Sequence, residues 1–137
     1  MKRVTSIGGI FFKCEDVERQ KTWYERHLGL PMSPYGTTFE WVHADGSSKK
    51  GSTTWAPFAK NTKYFDPSAK EFMINYQVEN LEWLVEQLKA DGVTVIDAIE
   101  KSDYGSFVHI LDPEGNKIEL WEPAEKGGAE DCDDISK

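Results

Sequence analysis

Apolar residues fall into two different periods along this chain. Leu81, Leu84, Val85 and Leu88 stand at i, i+3, i+4 and i+7, the spacing that lines one face of an α-helix. Asn80 supplies a side-chain acceptor for the first turn and Gly92 a stop, which predicts a helix over 81–90. A second helix is predicted over 17–28, with Val17, Tyr24 and Leu28 on one face, Glu15 or Asp16 as the cap and Gly29 as the stop. The segment before each helix alternates with period two: Ile10, Phe12 and Cys14 in one case, Ile74, Tyr76 and Val78 in the other. Each therefore reads as a strand that turns one face to its helix and the other elsewhere.

The two strand–helix units lie over one another in sequence. Gly9 to Val17 matches Met73 to Leu81, and Thr53-Thr54-Trp55-Ala56-Pro57 resembles Glu119-Leu120-Trp121-Glu122-Pro123. A repeat of about half the chain points to two copies of one supersecondary unit. The alternative is an ordinary α+β domain with two unrelated amphipathic helices. Hairpin signals follow each helix. Phe39 to His43 runs into Asp45-Gly46, and Phe107 to Leu111 runs through Asp112-Pro113-Glu114-Gly115-Asn116 into Lys117 to Trp121. The organisation expected is a first module over 1–57, a linker over 58–70, a second module over 71–124 and a tail over 125–137.

Composition narrows the classes. Hydrophobic residues make up 39% of 137, enough to fill one core. The formal net charge of −8 repels phosphate backbones and anionic lipid, so neither nucleic acid nor membrane is an expected partner. The tail carries five acidic residues against two lysines and no apolar period, and reads as a solvated, disordered end. Two cysteines, Cys14 and Cys132, make no disulfide framework and fit reduced thiols in the cytoplasm. The apolar run from Val4 to Phe12 is broken by Thr5 and Ser6 and lacks a cleavage site, so it is not read as a secretion signal.

Two motifs then acquire meaning together. Trp23-Tyr24-Glu25-Arg26-His27-Leu28-Gly29-Leu30 resembles the first-helix signature of the vicinal oxygen chelate superfamily, which groups glyoxalases, bleomycin-resistance proteins and extradiol dioxygenases. Asp112-Pro113-Glu114-Gly115-Asn116-Lys117-Ile118-Glu119-Leu120 resembles its final hairpin. The resemblance implies an α+β fold of two βαβββ modules, forming an eight-stranded curved mixed sheet around a concave cup, commonly in a homodimer. It also implies a divalent ion held by His or Glu from the first and last strands of each module. Those positions fall here on Gly9, about Thr53, Met73 and Glu119. Gly has no donor, Met sulfur suits hard cations poorly and Thr oxygen is weak. One carboxylate does not make a catalytic metal site. The expectation is that no residue forms the standard metal site and that no cofactor is needed. A divalent metal remains open only if another residue or a second subunit contributes ligands.

Alternation assigns the cup face. Phe11 faces it from the first strand and Met73, Asn75 and Gln77 from the strand opening the second half. A symmetric five-residue turn sets His109 opposite Glu119 and Phe107 opposite Trp121. The repeat puts Trp55 beside Trp121 in the cup, and Trp41 on the preceding strand joins them. Such walls suit a flat or apolar organic ligand; packing in the core or in a dimer interface is the other reading of these Trp residues. His109 and Glu119 admit three roles: a local ion pair, a contact to a polar ligand group, or a general base oriented by a carboxylate. No P-loop, dinucleotide glycine fingerprint or zinc-helix motif occurs. The function expected is small-molecule binding in an aromatic cup, by sequestration without metal. The alternatives are a glyoxalase-like lyase or isomerase, or a dioxygenase, with His109 and Glu119 as catalytic residues, and a non-catalytic regulatory or assembly domain.

Overall fold

The computed structural model describes residues 3–44 and 49–124. The Asp45-Gly46 turn, Cys132 and the acidic tail fall outside the described residues. In chain order the elements are β1 (Val4–Cys14), α1 (Val17–Leu28), β2 (Thr37–Val42), β3 (Lys50–Ala59), β4 (Phe72–Val78), α2 (Leu81–Ala90), β5 (Glu100–Ser102), β6 (Gly105–Leu111) and β7 (Lys117–Pro123).

Both helices form where the 3.6-residue period predicts them. Asp16 caps α1 by accepting from Arg19 N–H at 3.0 Å, and Gly29 closes it in the left-handed region at φ 72°. Asn80 caps α2 by accepting from Trp83 N–H at 3.1 Å. The helices differ in what they cover. Leu81, Leu84 and Val85 of α2 pack with Val78, Val108, Ile110 and Leu120 into the main core. Each such side chain contributes about 1.5–3 kcal/mol through area removed from water. Helix α1 buries only Lys21, whose ammonium donates to the Pro34 carbonyl at 3.2 Å. Its apolar contribution is Tyr24, packed against Trp55 at 4.6 Å between ring centroids, the rings tilted by 47°.

The strands make one mixed sheet in the order β2-β3-β1-β4-β7-β6-β5. Within each half the first strand runs parallel to the last, β1 with β3 and β4 with β7, and the halves join through the antiparallel β1–β4 pair. The duplicated unit is therefore present, with seven strands instead of the expected eight. The second half has three strands after its helix and the first half two. The stretch between α1 and β2 carries Pro31 and Pro34, which offer no N–H to a ladder, and makes only an isolated bridge between Ser33 and Gly36. The 58–70 segment does more than join the halves. β3 continues to Ala59, and Phe65 beyond it is fully buried. Among the described residues, no helix is long and apolar enough to cross a membrane.

Candidate functional site

The strand registers set one row of residues across five strands on the face away from the helices. Thr54 pairs with Gly9, Gly9 with Asn75, Asn75 with Glu119 and Glu119 with His109. The last pairing is the one the turn symmetry predicts. It is fixed by Asp112, whose Oδ1 accepts from both Glu114 N–H and Asn116 N–H at 2.9 Å. Phe107 pairs with Trp121 in the next row, their rings stacked at 6.0 Å.

Glu119 is the hub of this row and is only 3% exposed. Its Oε1 accepts from Asn75 Nδ2 at 2.7 Å. Its Oε2 accepts from the Tyr64 hydroxyl in a very short contact and faces His109 Nε2 at 2.9 Å. On the other side of the imidazole, Nδ1 faces Asp97 Oδ2 at 2.7 Å, and Asp97 Oδ1 takes the His109 backbone N–H at 2.8 Å. Both ring nitrogens thus point at carboxylates, an arrangement that only the doubly protonated imidazolium satisfies. Burial disfavours that cation, but the hydrogen bonds to Glu119 and Asp97 outweigh it and raise the His109 pKa above its ordinary value. Burial likewise pushes the Glu119 carboxyl upward, and hydrogen bonds from His109, Tyr64 and Asn75 reverse the sign and hold it below the usual range. Burial first, then the Glu119 charge, drives the Tyr64 hydroxyl far above its ordinary value, so it stays a donor.

Above this floor opens a cavity of about 360 Å³, with Phe11, Phe107, Tyr104 and Trp121 as walls and Asn75 and Glu119 below. It exists because the β1 backbone has no side chain there. A Cβ on Gly8 would lie 2.3 Å from Asn75 Oδ1 and 2.9 Å from the Trp121 ring. A second cavity of about 370 Å³ shares Phe11, Phe107 and Glu119 with the first and adds Phe58, Tyr64, Glu100 and Ser102.

Of the expected cup residues, Phe11, Asn75, Phe107, Glu119 and Trp121 line the first cavity, and His109 stands behind Glu119. Met73 and Gln77 lie on the cup side by register but line neither cavity. Met73 is fully buried, and the Gln77 amide oxygen accepts from Ser6. Trp55 and Trp41 are corrections. Trp55 turns to the helix face, against Phe12 and Tyr24. Trp41 lies on the same side of β2 and β3, its indole N–H on Thr53 Oγ1 at 3.0 Å and its ring over Gly51. The reason is register. Laying Thr53 to Pro57 on Glu119 to Pro123 is three residues out: Glu119 pairs with Asn75, and the residue that pairs with Phe11, the counterpart of Asn75 in the repeat, is Ala56. A slip of any odd number of residues turns every side chain to the opposite face.

Two residues of the site escaped the sequence reading. Tyr64 comes from the segment without period between the halves, and Asp97 from the connection before β5, drawn in by the Ile96 N–H to His109 carbonyl bond of 2.8 Å. Neither carries a local signal. The glycine pair at 8–9 did: glycine in a strand marks close approach.

The residues present do not fit the ion that the fold family employs. Gly9 offers no donor. Thr54, beside Gly9 on the cup side, offers only a hydroxyl, and Thr53 faces the helix side, its hydroxyl donating to the Ile7 carbonyl at 2.6 Å. Met73 is enclosed, and both oxygens of Glu119 are already bound by protein donors. Among the described residues, no cluster of three His, Cys, Asp or Glu side chains is placed to hold a metal.

Comparison with known proteins agrees with this architecture. The family model for the glyoxalase/bleomycin resistance protein/dioxygenase superfamily matches residues 6–120. Methylmalonyl-CoA epimerase from Mycobacterium tuberculosis superposes with a TM-score of 0.59 at 20% identity, over 91% of this chain and 92% of that one. A single-residue variant of the Streptomyces coelicolor methylmalonyl-CoA epimerase, in complex with 2-nitronate-propionyl-CoA, gives 0.66 at 15% identity, over 91% and 99%. A superfamily member from Vibrio splendidus 12B01 gives 0.54 at 14%, over 85% and 97%. At these identities the structural likeness speaks for the fold alone. No curated protein matches the chain. The duplicated strand–helix unit, the shared sheet and the family match over most of the sequence together place this chain in the glyoxalase/bleomycin resistance protein/dioxygenase superfamily.

Proposed function

We propose that this protein binds a small, flat or apolar organic molecule in its aromatic cup and does so without the metal of its metalloenzyme relatives. The observation that carries the reading is the cavity over Glu119, walled by Phe11, Phe107 and Trp121, with a carboxylate whose oxygens are taken up by Asn75, Tyr64 and His109. Large rings supply apolar area at small entropic cost, and a few fixed polar atoms orient what enters. Thermal-shift screening of chelator-treated protein against aromatic and thiol-conjugated compounds tests it, since a ligand bound only by the folded state raises the midpoint. Binding that disappears on chelation and returns with a divalent ion overturns the metal-free reading.

A second reading has one observation in its favour, the continuous chain Asp97–His109–Glu119–Tyr64. Such a chain can hold a proton at His109 Nε2 and a carboxylate at Glu119, the parts of an acid–base enzyme. In that case Glu119 touches the reacting atoms and His109 and Asp97 orient it. For any substrate found by screening, Glu119→Gln then abolishes turnover while retaining binding; unchanged turnover excludes the role.

A further inference from the structure

The two cavities are lobes of one hollow, since Phe11, Phe107 and Glu119 line both. They differ in chemistry. The second lobe is surrounded by four aromatic rings, Phe11, Phe58, Tyr64 and Phe107, and its polar groups are the Glu100 and Glu119 carboxylates and the Ser102 hydroxyl. Phe58 bridges the set, 5.5 Å from Phe11 and stacked on Tyr64 at 5.9 Å. None of the residues lining this lobe is Lys, Arg or His.

Behind the walls both signs are present. Asp97, Glu119 and Glu100 stand against His109 as the imidazolium, Lys117, whose ammonium donates to the Tyr64 carbonyl, and Lys13, 5.5 Å from the centroid of the Phe65 ring that packs on Phe58. The charged groups that line the lobe itself are the two carboxylates. The second lobe thus sets two carboxylates among four aromatic faces. That combination attracts a desolvated ammonium group, through ring quadrupoles and the carboxylates together.

We infer that the hollow takes an amine: a flat apolar body in the first lobe, and a protonated or quaternary ammonium among Phe11, Phe58, Tyr64 and Phe107, facing Glu100. This rests on the proposed small-molecule binding in the cup and names the ligand class for it. The test compares 4-phenylbutan-1-amine with 4-phenylbutan-1-ol, equal in length and differing in charge at pH 7, by titration calorimetry on the full chain. The amine is expected to bind about tenfold or more tighter than the alcohol, given the magnitude of cation–aromatic and carboxylate contacts. Glu100→Gln, at an exposed position, is expected to bring the ratio to within about twofold. Equal binding of amine and alcohol, or an undiminished preference in Glu100→Gln, overturns the inference and leaves the cup reading standing. Binding of neither overturns both.

Discussion

Replacing Glu119 with Gln tests the hub of the site. Three donors converge on this carboxylate: Asn75 Nδ2, the Tyr64 hydroxyl and His109 Nε2. Gln offers one acceptor oxygen, which can serve Tyr64 and His109, and an amide N–H that meets Asn75. Asn75 can rotate its amide and present Oδ1, its unpartnered atom, to that N–H. The hydrogen-bond conflict is thereby relieved, and what remains is the loss of the buried ion pair. Breaking such a pair costs about 3–5 kcal/mol. Asp97 still holds the other ring nitrogen, at a half-exposed carboxylate, which places the change at about 3 kcal/mol, the lower end of that range. For a domain of this size that corresponds to a fall in melting temperature of roughly 10 °C. The assay is thermal unfolding followed by circular dichroism at pH 6, with the His109 ring resonances titrated by NMR. The His109 pKa should fall in the variant. A melting temperature within about 2 °C of the parent, with His109 titrating as before, would refute the arrangement.

The pH dependence follows from the same pair. The folded His109 pKa is raised, so its contribution is complete below about 6.5 and fades as pH climbs through the folded value. The folded Glu119 pKa is lowered, so its contribution is complete above about 4.5 and fades as pH falls through the folded value. Urea midpoints should peak between those limits, His109→Gln should flatten the alkaline limb and Glu119→Gln the acid limb. Gly8→Ala should cost about 1–3 kcal/mol by denaturant unfolding, because its Cβ meets Asn75 Oδ1 and Trp121 in a fixed wall; an unchanged midpoint would show that the wall yields. Gly105→Ala should be at least as costly, with φ at 126° and its Cβ 2.2 Å from the Glu122 carbonyl, and Gly105→Asn should not rescue it. Ligand binding should quench the fluorescence of Trp121 and leave that of Trp55 nearly unchanged, as read from Trp121→Phe and Trp55→Phe proteins.

What the chain determines by itself is whatever lies within one element or across one short turn. Periods of 3.6 and 2 fixed both helices and the strands before them, because each period is set by backbone geometry and selects a face locally. Asp16 and Asn80 mark helix starts since their oxygens reach N–H groups three residues on. The five-residue turn brings His109 to Glu119 because both strands are anchored to that turn. The tertiary structure decided the rest. Trp55 and Trp41 took the helix face because the alignment of β3 with β1 joins residues some 45 positions apart, and period two makes an error of any odd number of residues a reversal. The missing strand in the first half reflects Pro31 and Pro34, whose effect depends on the pairing available to them. Tyr64 and Asp97 reach the site from segments without regular spacing, so their positions follow from packing and long-range hydrogen bonds, which no local pattern records.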